Sequence, residues 1–176
     1  MNKTLTIILT LSWILILIIL LKIIFYVKTG EVVVVKRKEE RKVYLRGIHF
    51  RLPFLDKIVL DANLEEQVID CWIESCLTKE NCPTMIDYII FYEITNPKLY
   101  SYHAKEFEEQ LREESQRMIH EIMSITSKEQ ISEENTLSFR RYTNQNMETN
   151  LNSIFNRMGV KITRFELKNI LFKCEK

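Results

Sequence analysis

Apolar residues follow three different rhythms along this chain, and each rhythm predicts a different element. The first is continuous. Leu5 to Leu21 is apolar apart from Thr6, Thr10 and Ser12, and Ile23–Val27 carries the run past Lys22. As a helix, Leu5–Val27 would reach about 35 Å, enough to cross a hydrocarbon core of about 30 Å with some tilt. Lys22 would carry its ammonium to the headgroups along its own methylene stem, and Tyr26 suits the interface. Cleaved signal peptides have an apolar region of about 7–15 residues and a small-x-small cleavage site. This run is longer and no Ala-x-Ala follows. Residues 1–27 are therefore expected to form an uncleaved transmembrane anchor. Lys3 precedes it, whereas Lys28, Lys36, Arg37, Lys38, Arg41 and Lys42 follow it, so the positive-inside bias places the C-terminal part in the cytoplasm.

The second rhythm is that of β-strands, from Glu31 to about Ile94. Val32–Val35 is a β-branched run suited to a buried strand. Val43-Tyr44-Leu45 follows a charged turn around Glu39–Arg41, which predicts a hairpin. Gly47 marks a turn, and Phe50, Leu52, Phe54 and Leu55 surround Pro53. Lys57–Leu60 and Glu66–Ile73 are further strand candidates. Thr84–Ile94 is the clearest, with Ile86, Tyr88, Ile90, Tyr92 and Ile94 on one parity and Met85, Ile89 and Phe91 on the other, so both faces are expected to be covered. Asn96-Pro97 stops it, because proline lacks the ladder N–H.

The third rhythm is helical. Phe107, Leu111, Met118, Ile122 and Ile125 form one stripe, with Glu108/Arg112 and Glu113/Arg117 as i,i+4 pairs. His103 is expected to begin a helix. Ser127 with Gln130 resembles a capping box that starts a second helical segment. Met147, Leu151, Ile154, Phe155 and Met158 form another stripe, whose start is weakened by Thr143–Asn146. Gly159 fits a helix C′ position. Val160–Ile170 returns to strand character, with a parity shift between Ile162 and Phe165 that predicts a bulge. An anchor, several strands, helices and one closing strand make an α+β chain.

Composition removes several functions. Residues 27–176 hold 23 basic and 24 acidic side chains, without the clustered cationic excess that a general nucleic-acid binder needs. A part of this size buries enough surface to need neither metal nor disulfide. Cys71, Cys76, Cys82 and Cys174 form no paired CxxC units and are expected to be reduced, partly buried thiols. The spacing Cys71-x4-Cys76-x5-Cys82 is looser than structural zinc loops. Gly30, Gly47 and Gly159 are too far apart to cradle a phosphate, and neither GxSxG nor HExxH occurs. His49 is expected to be structural, His103 to be exposed or capping at a helix start, and His120 to share a helix with Glu113 and Glu121 with no thiol in helical register. Glu113-Glu114 and Glu133-Glu134 point about 100° apart on a helix, as solvated faces do. No catalytic, cofactor or metal residues are expected.

Several of these segments, in order, resemble the SPFH or band 7 domain of the stomatin/prohibitin/flotillin superfamily. Lys28–Val35 is similar to that family's x-G-E-x-x-V-V first strand. Arg46–Asp56 is similar to its P-G-h-H-F-x-x-P-F-x-D turn, and Thr78-Lys79-Glu80-Asn81 to its T-K-D-N hairpin. Tyr92–Pro97 resembles Y-x-I-x-D-P, and Leu111-Arg112-Glu113 its L-R-x helix. Met158–Ile162 through Leu167–Ile170 resembles the closing G-V-x-V…I-x-x-I strand. Arg46 replaces the usual proline, and Glu80 replaces the aspartate before Asn81. The sequence ends six residues after Ile170, where many relatives continue into a long Ala/Glu-rich helix.

The resemblance implies an SPFH-type domain over residues 28–172 with a short tail, 173–176. It implies a membrane-anchored, non-enzymatic scaffold that assembles at the bilayer and organises or regulates membrane proteins. The alternative is a small adaptor or modulator of a membrane-bound protease or of a longer SPFH partner. Implied partners are membrane lipids, further copies or other SPFH proteins, and a membrane-bound protease, with no nucleic acid and no cofactor. By resemblance the turn carrying Phe50, Pro53 and Phe54 lies against the bilayer; the alternative is that these residues cap the β core. The expected membrane-contact set is Lys22, Tyr26, Phe50, Pro53 and Phe54.

Overall fold

The computed structural model describes residues 3–52, 55–131 and 136–173, the side chains of 3–5 and 18–22 excepted. The chain divides into two compact units, Met1–Leu64 and Glu65–Lys176. Antiparallel sheets accompanied by helices give the expected α+β class.

The first unit opens with α1 (Lys3–Ile23) and continues as β1 (Ile24–Val27), β2 (Glu31–Arg37), β3 (Glu40–Tyr44), β4 (Gly47–Phe50) and β5 (Asp56–Asn63). Among the described residues, no helix is long and apolar enough to cross a membrane. The transmembrane anchor expected over residues 1–27 is therefore not borne out here, and its bounds are corrected too: the helix stops at Ile23, and Ile-Phe-Tyr-Val becomes a strand. β-Branched and aromatic residues suit a pleated surface, and β4 supplies a partner from Ile24↔Phe50 to Val27↔Gly47. β4 is itself a correction, since only a turn was expected at Gly47. The other sheet has the order β3-β2-β5. Its central strand carries Val32–Val35, all four buried, which is why the run shows no alternation. Lys38, at φ 56°, turns the β2–β3 hairpin.

The second unit is a sheet of order β6-β7-β8, formed by β6 (Gln67–Leu77), β7 (Pro83–Ile94) and β8 (Val160–Phe172), with α2 (Pro97–His103), α3 (Phe107–Ile125) and α4 (Thr136–Phe155). One parity of β7 is fully buried, and Ile89 on the other parity is buried too. Phe107 sits among the rings of Tyr92, Tyr100 and Phe155 at centroid distances of 5.0, 5.3 and 5.6 Å. The predicted bulge is present: Phe91 faces Arg164 while Tyr92 faces Ile162, leaving Thr163 as the extra residue.

Several helical details differ from expectation. Asn96 caps α2 by accepting from Leu99 N (3.2 Å), with Pro97 in its first turn, the arrangement that favours a helix start. His103 therefore ends a helix rather than beginning one. Ile125 is 76 % exposed, because the buried stripe runs through Phe107, Leu111, Ser115, Met118, Ile119 and Met123. Arg117 bonds Glu114 and Glu121 rather than Glu113, and Arg112 donates to Asp70 O (2.7 Å) rather than pairing with Glu108. Ser127 and Gln130 do bond reciprocally, but they open only a 3-10 turn, Lys128–Ile131. The Thr143–Asn146 stretch lies inside α4. Its asparagines bond β8: Asn144 Oδ1 accepts from Leu167 N (3.0 Å), and eight residues on Asn152 bonds both N and O of Ile162 (2.8 Å each).

Cys71 and Cys76 are free and buried. Cys82 is disulfide-bonded, which corrects the expectation of reduced thiols there; Cys174 lies outside the described residues. The CxxC criterion tests neighbours in sequence, whereas a disulfide needs only closeness in space.

Gly159 joins α4 to β8 at φ 78°. A Cβ there would stand 2.4 Å from Asn96 O and 3.1 Å from Leu99 Cβ, while Gly159 O accepts from Thr95 N and Asn96 N. Gly159→Ala is expected to destabilise the protein by about 2–4 kcal/mol, combining left-handed strain with a backbone collision. Thermal unfolding checks it; an unchanged Tm would refute the packing described.

Candidate membrane-contact site

The pairing of β1 with β4 makes a two-stranded ribbon that leaves α1 without a linker. Ile23 O, at the end of α1, accepts from Arg51 N (2.8 Å) just beyond β4. Side chains alternate between the faces of a strand, so the register sorts this ribbon into two sides. On the inner side Val27 is buried with Val33 and Val35, and Phe25 and Tyr44 pack against them. His49 joins that side, its ring centroid 4.9 Å from Tyr44 and 5.7 Å from Phe25, with Nε2 donating to Leu45 O (2.5 Å). The imidazole is thus held as a structural piece.

On the outer side Ile24 faces Phe50 and Tyr26 faces Ile48. These four are 54, 65, 63 and 66 % exposed. Four large apolar side chains in two directly paired rows form a contiguous exposed patch, which marks an interaction surface. The chain then turns through Leu52 and Leu55, both also exposed.

A buried carboxylate ties that turn down. Asp56 accepts from Arg37 Nε (2.5 Å) and Nη2 (2.7 Å) and from Leu52 N (2.8 Å). Asp56 N in turn donates to Leu52 O (2.8 Å). The Arg37 hydrogen bonds, aided by that of Leu52 N, outweigh the desolvation that acts the other way and hold the Asp56 carboxyl down to about 2.

Of the expected contact residues, Tyr26 and Phe50 stand on the exposed face, and in strands rather than in a helix or a loop. Lys22 lies on the backbone of α1, its side chain outside the description; Pro53 and Phe54 fall outside the described residues. Ile24 and Ile48 were missed. Their signal is the alternation Ile24-x-Tyr26 and Ile48-x-Phe50, hidden because Ile24–Val27 prolongs an apolar run.

The two free, buried thiols, Cys71 and Cys76, have the wrong environment for nucleophiles. Burial pushes the Cys71 thiol up, although Arg112 Nη1 stands 3.4 Å from its sulfur, and burial pushes Cys76 up to about 11. Reactive cysteines need the opposite shift. An apolar concavity of about 410 Å³ between α3 and α4, lined by Ile122, Ile125, Phe139 and Tyr142 among others, brings no carboxylate, imidazole, amine or thiol together. Among the described residues, no group of three or more His, Cys, Asp or Glu could hold a metal ion.

Comparison with known proteins gives a consistent picture. The family model described as SPFH domain / Band 7 family matches residues 25–175. A stomatin homologue of Pyrococcus horikoshii is 24 % identical over 70 % of this chain and 44 % of its own length. The mitochondrial stomatin-like protein 2 of Rattus norvegicus is 25 % identical over 84 % of this chain and 41 % of its own length. An uncharacterised protein of Methanothermobacter thermautotrophicus is 27 % identical over 70 % of this chain and 37 % of its own length. The chain thus spans about two fifths of the length of these relatives.

Asp56 sets a pH dependence. A carboxyl with a depressed folded-state pKa adds stability that is present above its ordinary value, 3.8, and lost as pH falls toward about 2. Asp56→Asn is therefore expected to lower Tm at pH 6, with the deficit against wild type shrinking between pH 5 and pH 2. Thermal scans across that range check it; a deficit independent of pH would show that the ion pair is not its source.

Proposed function

The chain belongs to the SPFH domain / Band 7 family, and we propose that it is a membrane-associated, non-enzymatic scaffold that assembles at the bilayer and organises or regulates membrane proteins. The observation that carries this reading is the exposed apolar face of the β1–β4 ribbon, continuous in the chain with an apolar helix. Such a face is costly in water and finds a solvent in the interfacial zone of a bilayer, where Tyr is favoured. We propose that α1 anchors the chain in a single pass. The sequence from Leu5 to Leu21 is uncharged, and 21 helical residues extend about 31 Å. Tyr26 and Phe50 then rest in the interface.

The basic residues after α1 support a cytoplasmic domain. On that side the thiol pool keeps most cystines reduced, so the Cys82 bond would form under oxidation. The scaffold reading includes association with further copies or with other SPFH proteins, and regulation of a membrane-bound protease is one form it can take.

The contact face is tested with full-length protein in proteoliposomes. Phe50→Trp in a Trp13→Phe, Trp72→Phe background is expected to emit in the blue and to be quenched by lipids brominated near the headgroup. A Val68→Trp control in the second unit is expected to stay unquenched. Unquenched emission from position 50 would remove the ribbon from the membrane. Light scattering after gentle detergent extraction tests assembly. A protein mass well above one 21.1 kDa chain, with no foreign protein in the peak, is expected; a monomer would refute autonomous assembly.

A further inference from the structure

The sheet of the second unit has one face turned toward its helices. Cys71, Ile73, Tyr88, Ile90 and Leu167 are buried, and Tyr88 Oη meets Ser115 Oγ of α3 at 2.8 Å, so their parity is the helix side. The opposite parity carries Asp70 and Trp72 on β6, Asp87 on β7 and Asn169 on β8. Register sets Trp72, Asp87 and Asn169 in one row across all three strands, and residues directly opposite project to the same face.

A β-bulge completes the group. Asp87 faces Asn169 while Tyr88 faces Leu167, which leaves Lys168 as the extra residue on β8. Bulges re-aim side chains. Here the Lys168 side chain reaches over the central strand, and its Nζ stands 3.8 Å from Asp70 Oδ1 on β6. The four polar side chains and the indole line a concavity of about 410 Å³, within the size range of small-molecule sites. Trp72 is 59 % exposed, so its ring is accessible from that space.

The polar contacts inside are loose. A separation of 3.8 Å makes an ion pair but is too long for a hydrogen bond, so the ammonium keeps donors and Asp70 keeps acceptors. Asn169 Nδ2 donates to Asp87 Oδ2 at 3.3 Å, just beyond the usual N–H···O range, and the amide oxygen and the other carboxylate lone pairs remain. An anion entering here would meet two carboxylates, and a metal ion would meet an ammonium. A neutral hydroxyl both donates and accepts, so one inserted between Lys168 Nζ and Asp70 Oδ1 satisfies both. A neighbouring hydroxyl can do the same between Asp87 and Asn169. The indole, apolar in its body, suits the C–H face of a ring that carries such hydroxyls.

We propose that this concavity is a binding site for a neutral cyclic polyol, a saccharide ring stacked on Trp72 and hydrogen-bonded by Asp70, Asp87, Lys168 and Asn169. Its chemistry is independent of the membrane reading above.

The test uses the full chain in a detergent without a sugar headgroup. Trp13→Phe leaves Trp72 as the sole tryptophan, so emission reports on the site directly. Methyl glucoside, methyl galactoside and methyl mannoside are titrated, with glycerol as the acyclic control. A saturable emission change with at least one glycoside, and none with glycerol, is expected. Lys168→Ala and Asp70→Ala, both at exposed positions, are each expected to weaken that binding about tenfold, as loss of a hydrogen bond to a charged group entails, without lowering Tm. Glu93→Gln/Lys161→Gln removes an ion pair elsewhere in the sheet and is expected to leave the affinity unchanged. Reconstitution into vesicles separates the sources of the ring. A response confined to monogalactosyl diacylglycerol over phosphatidylcholine would assign the site to a lipid-borne sugar, whereas saturation by a free glycoside assigns it to a soluble one. Emission that follows glycosides and glycerol alike, with no difference between the two vesicles, would overturn the site, as would undiminished saturation in both alanine variants.

Discussion

The first unit depends on how the backbone leaves α1. A chain emerging from an apolar helix still carries amides and carbonyls that must find partners. Here they find them at once: Ile23 O takes Arg51 N, and the next four residues pair one for one with Gly47–Phe50. That handover leaves no linker. It also sets the period-2 sorting that sends Phe25 and Val27 into the core and Ile24 and Tyr26 outward. The apolar outer face is thus a consequence of register, and a one-residue slip would exchange the two faces.

The same economy governs the charges around the turn. A buried carboxylate is unfavourable unless its oxygens are used. Asp56 uses both on Arg37 and one again on Leu52 N. One residue therefore fixes the end of β2, the start of β5 and the loop after β4. The end of the sheet and the apolar turn are thus held by a single group.

Much of this was legible in sequence because most elements have a strong period. The Val32–Val35 strand, β7, the α3 stripe, the Gly159 turn and the bulge after Ile162 follow from local patterns. The misreadings share one cause: tertiary partners decide where local pattern is ambiguous. Ile24–Val27 is as apolar as the helix before it, and only the presence of β4 makes it a strand. Ile125 continues a plausible stripe but has drifted off the buried face. Thr143–Asn146 lowers helix propensity, yet its Asn144 is needed by β8. The disulfide at Cys82 has no signature in the spacing of neighbouring cysteines. Of the exposed apolar face, Tyr26 and Phe50 were readable from side-chain character, but their strand partners Ile48 and Ile24 required the register.

The outer strands of the second unit's sheet are partly held by side chains. A long unpaired strand edge invites addition of another chain, and the β6-β7-β8 sheet has two long outer strands. Both have edge groups held by side chains. Asn152 bonds both backbone groups of Ile162 as a neighbouring strand would, and Asn144 takes Leu167 N. On β6 Arg112 donates to Asp70 O and Lys173 Nζ to Glu74 O. A strand adding along β8 must first displace a bidentate amide at Ile162. The fold thus holds part of its outer-strand backbone with its own side chains, while the paired residues of the β1–β4 ribbon stay exposed.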